Sequence, residues 1–253
     1  MKIKELYNCI NRLAPFDSQC EWDNSGLLIG SPDTEISRIG FALDAVPEVI
    51  EDAVQKGCNL IITHHPVIFN PLESIDDKSP AYLAIKSCIS ILSVHTPFDK
   101  SCPGVNTVLA GKLGISEIKQ ITDDGDTAIL KMGELPESVN EKNFADIIAK
   151  ALGGAVIYSA CGKSIRKVAV CGGAGGDFFA AAKAAGADAL VTGEAKHHEF
   201  IGAKSAGITL YAAGHFETEA PAMEALKDYV MKETKADCVM LSQPKTTQFT
   251  GAI

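Results

Sequence analysis

Two adjacent histidines, His64 and His65, close the apolar stretch that begins "NLIITHHPVIF", in a chain with only six histidines. Two further segments have a related form. "ISILSVHTPFDKS" and "GITLYAAGHFETEA" each run from an apolar stretch into a histidine with an acid four residues later, giving the pairs His95/Asp99 and His215/Glu219. Imidazole nitrogen is a borderline donor and carboxylate oxygen a hard one, so together they suit divalent zinc, manganese, iron, nickel or cobalt. Neighbouring histidines on an extended turn aim their rings in different directions, which serves two ions better than it chelates one. A carboxylate can then bridge the ions, and two ions about 3.5–4 Å apart can activate a shared water. Each fragment alone is equally compatible with a structural role; the weight comes from three fragments at comparable strand ends.

Other fragments carry less. His197 and His198 in "GEAKHHEF" follow a strand end by several residues and read as the start of a helix. Glu194 aligns with His65 across the repeat described below and is expected beside the site without holding metal. The Gly-rich "CGGAGGDFF" follows a strand and opens a helix, where the N–H groups of Gly172, Gly173, Gly175 and Gly176 could hold a phosphate. It lacks a Walker ending and the strict dinucleotide spacing, and a tight turn near the site is the alternative.

The elements that must position these residues occur twice. Residues 38–65 lie over 167–194 without a gap, matching Arg38 with Lys167, Gly57 with Gly186, Asn59 with Asp188 and Thr63 with Thr192. The pattern predicts a first helix over 3–13. A first unit follows, with strands near 38–43, 59–63 and 90–94 and helices near 47–56, 79–88 and 104–113. A second has strands near 167–171, 188–192, 208–212 and 237–241. "AILKMGELP" reads as strand and turn, and "NEKNFADIIAKALG" as a capped helix. Alternation of strands and helices indicates an α/β fold: two related α/β units from an internal duplication, with mixed, mostly parallel sheets. The division is expected as 1–125 and 126–253, with the C-terminal tail packing back on the first unit and the metal site in the cleft between the two. The histidines then lie beyond the carboxyl ends of strands, where open α/β sheets bind ligands.

Bulk composition sets limits. With 253 residues, 46% hydrophobic and 22% charged, the chain can bury a sizeable core. No apolar run has the length of a membrane span, and the N-terminus lacks a secretory signal pattern, so a cytoplasmic location is expected. The eight cysteines include no Cys-x-x-Cys pair, which suits reduced thiols. A net charge of −9 argues against binding along a nucleic-acid backbone.

Six segments in order carry a resemblance to a known family: "WDNSGLLIG", "ITHHPVIF", "HTPFDKSCPGVN", "VAVCGGAGGD", "ADALVTGEAKHHEF" and "GHFETE". Together they resemble the NIF-three-like family, also labelled GTP cyclohydrolase 1 type 2 homologues. The resemblance implies two α/β domains, a toroidal homohexamer, and two divalent metal ions per chain held by His64, His65, Asp99, His215 and Glu219. It places His95 beside the metals but outside the ligand set, as a catalytic residue that supports the ligands or transfers protons. The large domain that many relatives carry between the halves does not fit within 116–166, and "PKTTQFTGAI" matches the family ending only loosely. The implied function is a metal-dependent hydrolase of a nucleotide or related phosphorylated small molecule. The alternative is a metal-binding or regulatory assembly without turnover.

Overall fold

The computed structural model describes residues 1–121 and 126–243. The chain forms two compact units, Met1–Gly104 with residues 222–243, and Val105–Pro221. The division thus falls at Gly104/Val105 rather than at 125/126, and the chain returns to the first unit at Ala222. The tail from residue 244, expected to pack on the first unit, lies outside the described residues, as do residues 122–125. No helix among the described residues is long and apolar enough to cross a membrane. None of the cysteines forms a disulfide.

In the first unit a five-stranded sheet has β1 (Gly26–Ile29), β2 (Ile39–Ala42), β3 (Leu60–Thr63), β4 (Ser90–Ser93) and β11 (Cys238–Met240) in the order β1-β4-β3-β2-β11. β2, β3 and β4 are buried at every position. That explains their unbroken apolar runs: parallel strands covered on both faces do not alternate with polar residues. Helices α2 (Pro47–Gln55) and α3 (Pro80–Lys86) cover the sheet. They contribute Val49, Ile50, Ala53, Ala81 and Ala84 to a core that includes Ile29, Ile61 and Ile91. Helix α1 (Ile3–Leu13) buries Ile3, Leu6, Cys9 and Ile10 along one stripe.

Two elements differ from the expectation. The strand at 237–241 belongs to the first sheet, where β11 pairs in parallel with β2. The stretch after His95, to which the sequence pattern assigns neither helix nor strand, is a short helix, α4 (Thr96–Lys100); Pro97 sits at its start, where a missing N–H costs nothing.

The second unit has β5 (Ser116–Gln120), β6 (Lys131–Asn140), β7 (Ile157–Ser159), β8 (Ser164–Cys171), β9 (Ala189–Thr192) and β10 (Thr209–Ala212), ordered β5-β6-β8-β9-β10-β7. Only β8–β9 and β9–β10 pair in parallel; β5–β6, β6–β8 and β10–β7 are antiparallel. This sheet is therefore not mostly parallel. Of the antiparallel strands, β5 and β6 are joined by only residues 121–130, too short for the helical crossover that a parallel pair usually needs. Helices α5 (Val105–Lys112), α6 (Glu141–Leu152), α7 (Phe179–Ala184) and α8 (His197–Ala206) complete the unit. Helix α9 (His215–Thr234) begins here, and its residues from Ala222 onward belong to the first unit.

The repeat is visible in the hydrogen bonds. Asn59 Oδ1 accepts from Ser37 N at 2.9 Å, and Asp188 Oδ2 accepts from Arg166 N at 3.0 Å, the same positions in each copy. Val94 N donates to Thr63 O and Ala213 N to Thr192 O at 2.8 and 2.9 Å. The registers Thr63↔Ser93 and Thr192↔Ala212 also correspond. Counted from that register, however, Gly214 stands where His95 does, and His215 where Thr96 does. The two His-x-x-x-acid pairs are displaced by one residue: His95 caps α4, whereas His215 is the first residue of α9.

One buried carboxylate ties the second unit together. Glu141, at the start of α6, accepts from the Thr209 hydroxyl at 2.6 Å and from the N–H groups of Cys161 and Gly162. Burial opposes its charge, but these donors and the Lys163 N–H overrule it and hold the carboxyl below its ordinary range. A depressed acid contributes stability that is present above its unfolded pKa, about 4.3, and is lost as pH falls through the lower folded value. Glu141→Gln should therefore destabilise by about 1.5–3 kcal/mol at pH 7, the scale of bonds to a charged group. Amide exchange at Gly162 should quicken, and the gap between variant and wild type should narrow progressively as pH falls below about 4.3. Equal protection of Gly162 in both proteins at pH 7 would refute this.

Candidate functional site

In the first unit the site begins where β3 ends. The N–H groups of His64 and His65 both donate to Leu43 O, at 3.2 and 3.0 Å, which fixes the backbone of the pair against the end of β2. The His65 carbonyl accepts from the Thr63 hydroxyl at 2.8 Å and the Ser93 hydroxyl at 3.4 Å. Neither histidine backbone is therefore left to move, and the rings are held with centroids 5.1 Å apart and planes 46° apart.

Each ring is anchored through Nδ1. His64 Nδ1 lies 3.0 Å from Val94 O, an atom that can only accept, so Nδ1 carries the proton and Nε2 the lone pair. His64 is fully buried, and its Nε2 lies 3.6 Å from Asp99 Oδ1. His65 Nδ1 meets Asp44 Oδ1 at 2.7 Å. His95 Nδ1 meets Asp23 Oδ1 at 2.9 Å. A ring nitrogen from each of His64, His65 and His95 lies within 4.8 Å of the other two, a cluster that could hold a metal ion. The structure thus brings His95 into the same cluster, although the resemblance implies a place outside the ligand set.

Asp23 is the residue that the sequence reading did not single out, although it lies inside "WDNSG". Its side chain is fully buried. Oδ2 accepts from the Thr96 N–H at 3.1 Å, from the Thr96 hydroxyl and from the Ser25 hydroxyl at 2.9 Å; Oδ1 accepts from Asn24 N at 2.7 Å and faces His95. Burial works against the charge, but the bonds from His95, Thr96 and Ser25 outweigh it and hold the carboxyl far below its ordinary range. Asp23 is therefore an anion that accepts the His95 Nδ1 proton and leaves Nε2 facing the cluster. Asp44 was also missed. Strand pairing would have found it: with Ala42 opposite Thr63, Asp44 falls opposite His65.

In the second unit His215 and Glu219 sit four residues apart on α9, hence on one helix face, with Nε2 and Oε2 3.1 Å apart. His215 Nδ1 meets Glu194 Oε1 at 3.1 Å. Glu194 thus supports His215, a contact that the alignment with His65 did not indicate. Glu219 is buried at 4% exposure. The Gly-rich segment is packed against this pair. Gly173 has φ +64°, and a Cβ there would collide with Glu219 Oε1 and lie 3.2 Å from His215 Nε2.

Three of the four glycine N–H groups expected to cradle a phosphate already have acceptors in the protein. Gly172 N donates to Asn106 Oδ1 at 2.7 Å, Gly173 N to the Thr218 hydroxyl at 3.1 Å and Gly175 N to the Thr192 hydroxyl at 2.9 Å. These donors are engaged within the unit, and a Cβ on Gly176 would strike Glu199 and Ala195. Close packing is what this segment needs glycine for. His197 and His198 open α8 on the surface, as expected.

The donor types fit a first-row divalent ion: imidazole nitrogens whose far side is fixed by a carbonyl or carboxylate, with carboxylate oxygen nearby. Calcium and magnesium prefer oxygen throughout and fit less well.

Known proteins agree with this architecture. A protein of Clostridium perfringens called "GTP cyclohydrolase 1 type 2 homolog" is 30% identical over 246 residues, covering 94% of each chain. One of the same name from Campylobacter jejuni is 34% identical over 230 residues, covering 87% of this chain and 88% of its own. The crystal structure of Staphylococcus aureus hypothetical protein SA1388 superposes with a TM-score of 0.89 at 27% identity, covering 95% of this chain and 96% of that one. The family described as Duf34/NIF3 (NGG1p interacting factor 3) matches residues 1–246, and the chain belongs to it.

Proposed function

We propose that this protein is a metal-dependent hydrolase of a nucleotide or related phosphorylated small molecule. It would bind two divalent ions per chain through His64, His65 and Asp99 of the first unit and His215 and Glu219 of the second. The observation that carries the reading is the common anchoring of the imidazoles. His64, His65 and His95 are each held at Nδ1 by an oxygen, which orients Nε2 as the donor. The names borne by the relatives support a nucleotide as substrate. Bound divalent ions supply Lewis acidity and a water of lowered pKa, from about 15.7 toward 7.

The chain's own residues supply the proton path. Asp23 accepts the Nδ1 proton of His95 and fixes the ring, so that Nε2 can take a proton from water or return one to a leaving group. When Nε2 is protonated, the buried Asp23 charge stabilises the imidazolium. The Asp23 charge is in turn held by Thr96 and Ser25, so the imidazole turns on a fixed support.

Two experiments test this reading. Protein reconstituted anaerobically with manganese, iron, cobalt, nickel or zinc should carry two ions per chain by elemental analysis. His65→Ala should lose at least one, and an unchanged content of one or none in both proteins opposes the reading. A screen of nucleotides for hydrolysis by the loaded protein should then find turnover. Asp23→Asn should lower kcat about 10–100-fold, the usual scale for a partner behind a functional histidine. His95→Ala should lower it about 10²–10⁴-fold with metal retained. If His95→Ala empties the site, His95 is a ligand. If metal stays and no nucleotide is turned over, a metal-binding or regulatory role replaces the catalytic one.

A further inference from the structure

Beside the histidine cluster of the first unit lie two large aromatic side chains that folding has left in solvent. Trp22 is 48% exposed and Phe69 is 43% exposed. Their ring centroids are 6.0 Å apart with planes at 38°. Both stand edge-on to His95, at 5.7 Å and 74° for Trp22 and 6.1 Å and 75° for Phe69. The three rings therefore share one arrangement, in which His95 is the inner member.

The loops bearing the two aromatics are tied to each other and to His95 within two residues of each ring. Asn24 Nδ2 donates to Ile68 O at 2.6 Å, joining the segment after Trp22 to the residue before Phe69. Asp23, next to Trp22, accepts from His95 and Thr96. Aromatic side chains are large apolar surfaces, and exposing two of them together on braced loops forgoes burial that the fold would otherwise gain. Bracing of the two loops holds the backbone that carries the rings, so less loop freedom remains to be lost on binding.

We infer that Trp22 and Phe69 form a ring-binding subsite, which receives a planar heteroaromatic ring of the substrate and presents the rest of that molecule to His64, His65 and His95. The inference rests on the catalytic reading of that cluster and adds the means of substrate selection. The two protein rings already touch each other at 6.0 Å, so a ligand ring would pack on their exposed faces rather than between them. Selection would fall on the aromatic ring and be tolerant of which ring it is, because every such ring has a π-face. It would not fall on a phosphate held by the Gly-rich segment, whose N–H groups at Gly172, Gly173 and Gly175 are already engaged.

Trp22 is the only tryptophan in the chain, so its fluorescence reports this subsite alone. Adenosine, guanosine, cytidine and uridine should be titrated into the metal-loaded protein, with ribose 5-phosphate as the ring-free control. Saturable quenching by at least one nucleoside and none by ribose 5-phosphate is expected. Phe69→Ala should raise the Kd about 5–150-fold, the range for losing one stacking partner. Phe69→Leu, which keeps bulk and removes the ring, should behave similarly and guards against a loss of folding. His64→Ala, with its metal diminished, should still show the quenching, which separates the subsite from the metal reading. A hydrolase that turns over ring-free phosphates as well as nucleotides would overturn the subsite and leave catalysis standing. So would the absence of saturable quenching, or an equal Kd in Phe69→Ala. If nucleosides do not bind and Phe69→Ala instead lowers the mass seen by light scattering, the aromatics are a contact between subunits and the inference fails.

Discussion

The parallel register of β2, β3 and β4 is the constraint on which the histidine cluster depends. Ala42, Thr63 and Ser93 stand side by side across the three strands. From that row the chain needs only one or two residues to reach Asp44, His64, His65 and His95. The Leu43 carbonyl then takes both histidine N–H groups, so the end of one strand fixes the exit of the next. A slip of one residue in this register would turn each side chain to the opposite face and separate all three rings. The complete burial of the three strands makes such a slip costly, because the apolar residues on both faces would lose their places together.

On this base the rings are oriented by polar atoms with few alternatives. Val94 O, Asp44 and Asp23 hold the three Nδ1 atoms, and the choice of tautomer follows from them. Asp23 shows how a fully buried charge is tolerated. Desolvation disfavours it strongly, and it persists because main-chain and hydroxyl donors converge on its two oxygens. Those donors come from the residues adjoining Asp23 and from Thr96 beside His95. The same contacts that stabilise the anion therefore also fix the position of His95.

Much of this was legible in the sequence. The βαβ pattern of both copies could be read because its strands are unbroken apolar runs, and the chemical residues could be placed at strand ends from that alone. Asn59 and Asp188 were matched by alignment, and the structure gives both the same backbone task. What escaped was decided by partners distant in sequence. Three residues, Cys238–Met240, carry no information about which sheet they join. A five-residue helix such as α4 is too short to show a period, so the sequence pattern assigns the His95/Asp99 pair no helix. The displacement by one residue between that pair and His215/Glu219 is invisible without strand register. The Gly-rich segment has the composition of an anion site, and only Asn106, Thr218 and Thr192 reveal that the N–H groups of Gly172, Gly173 and Gly175 are occupied.

For protein engineering, Gly173 and Gly111 show that glycines with the same letter in an alignment have opposite values. Gly111 lies in α5 with nothing near the position a methyl group would take, and its φ is ordinary. Alanine there would restrict the unfolded chain and favour the helix, a gain of about 0.4–1 kcal/mol. At Gly173 the same exchange would meet a left-handed backbone and the Glu219 carboxylate at once. A library that replaces glycines for thermal robustness would thus gain at one position, and at the other would displace the carboxylate proposed to hold metal.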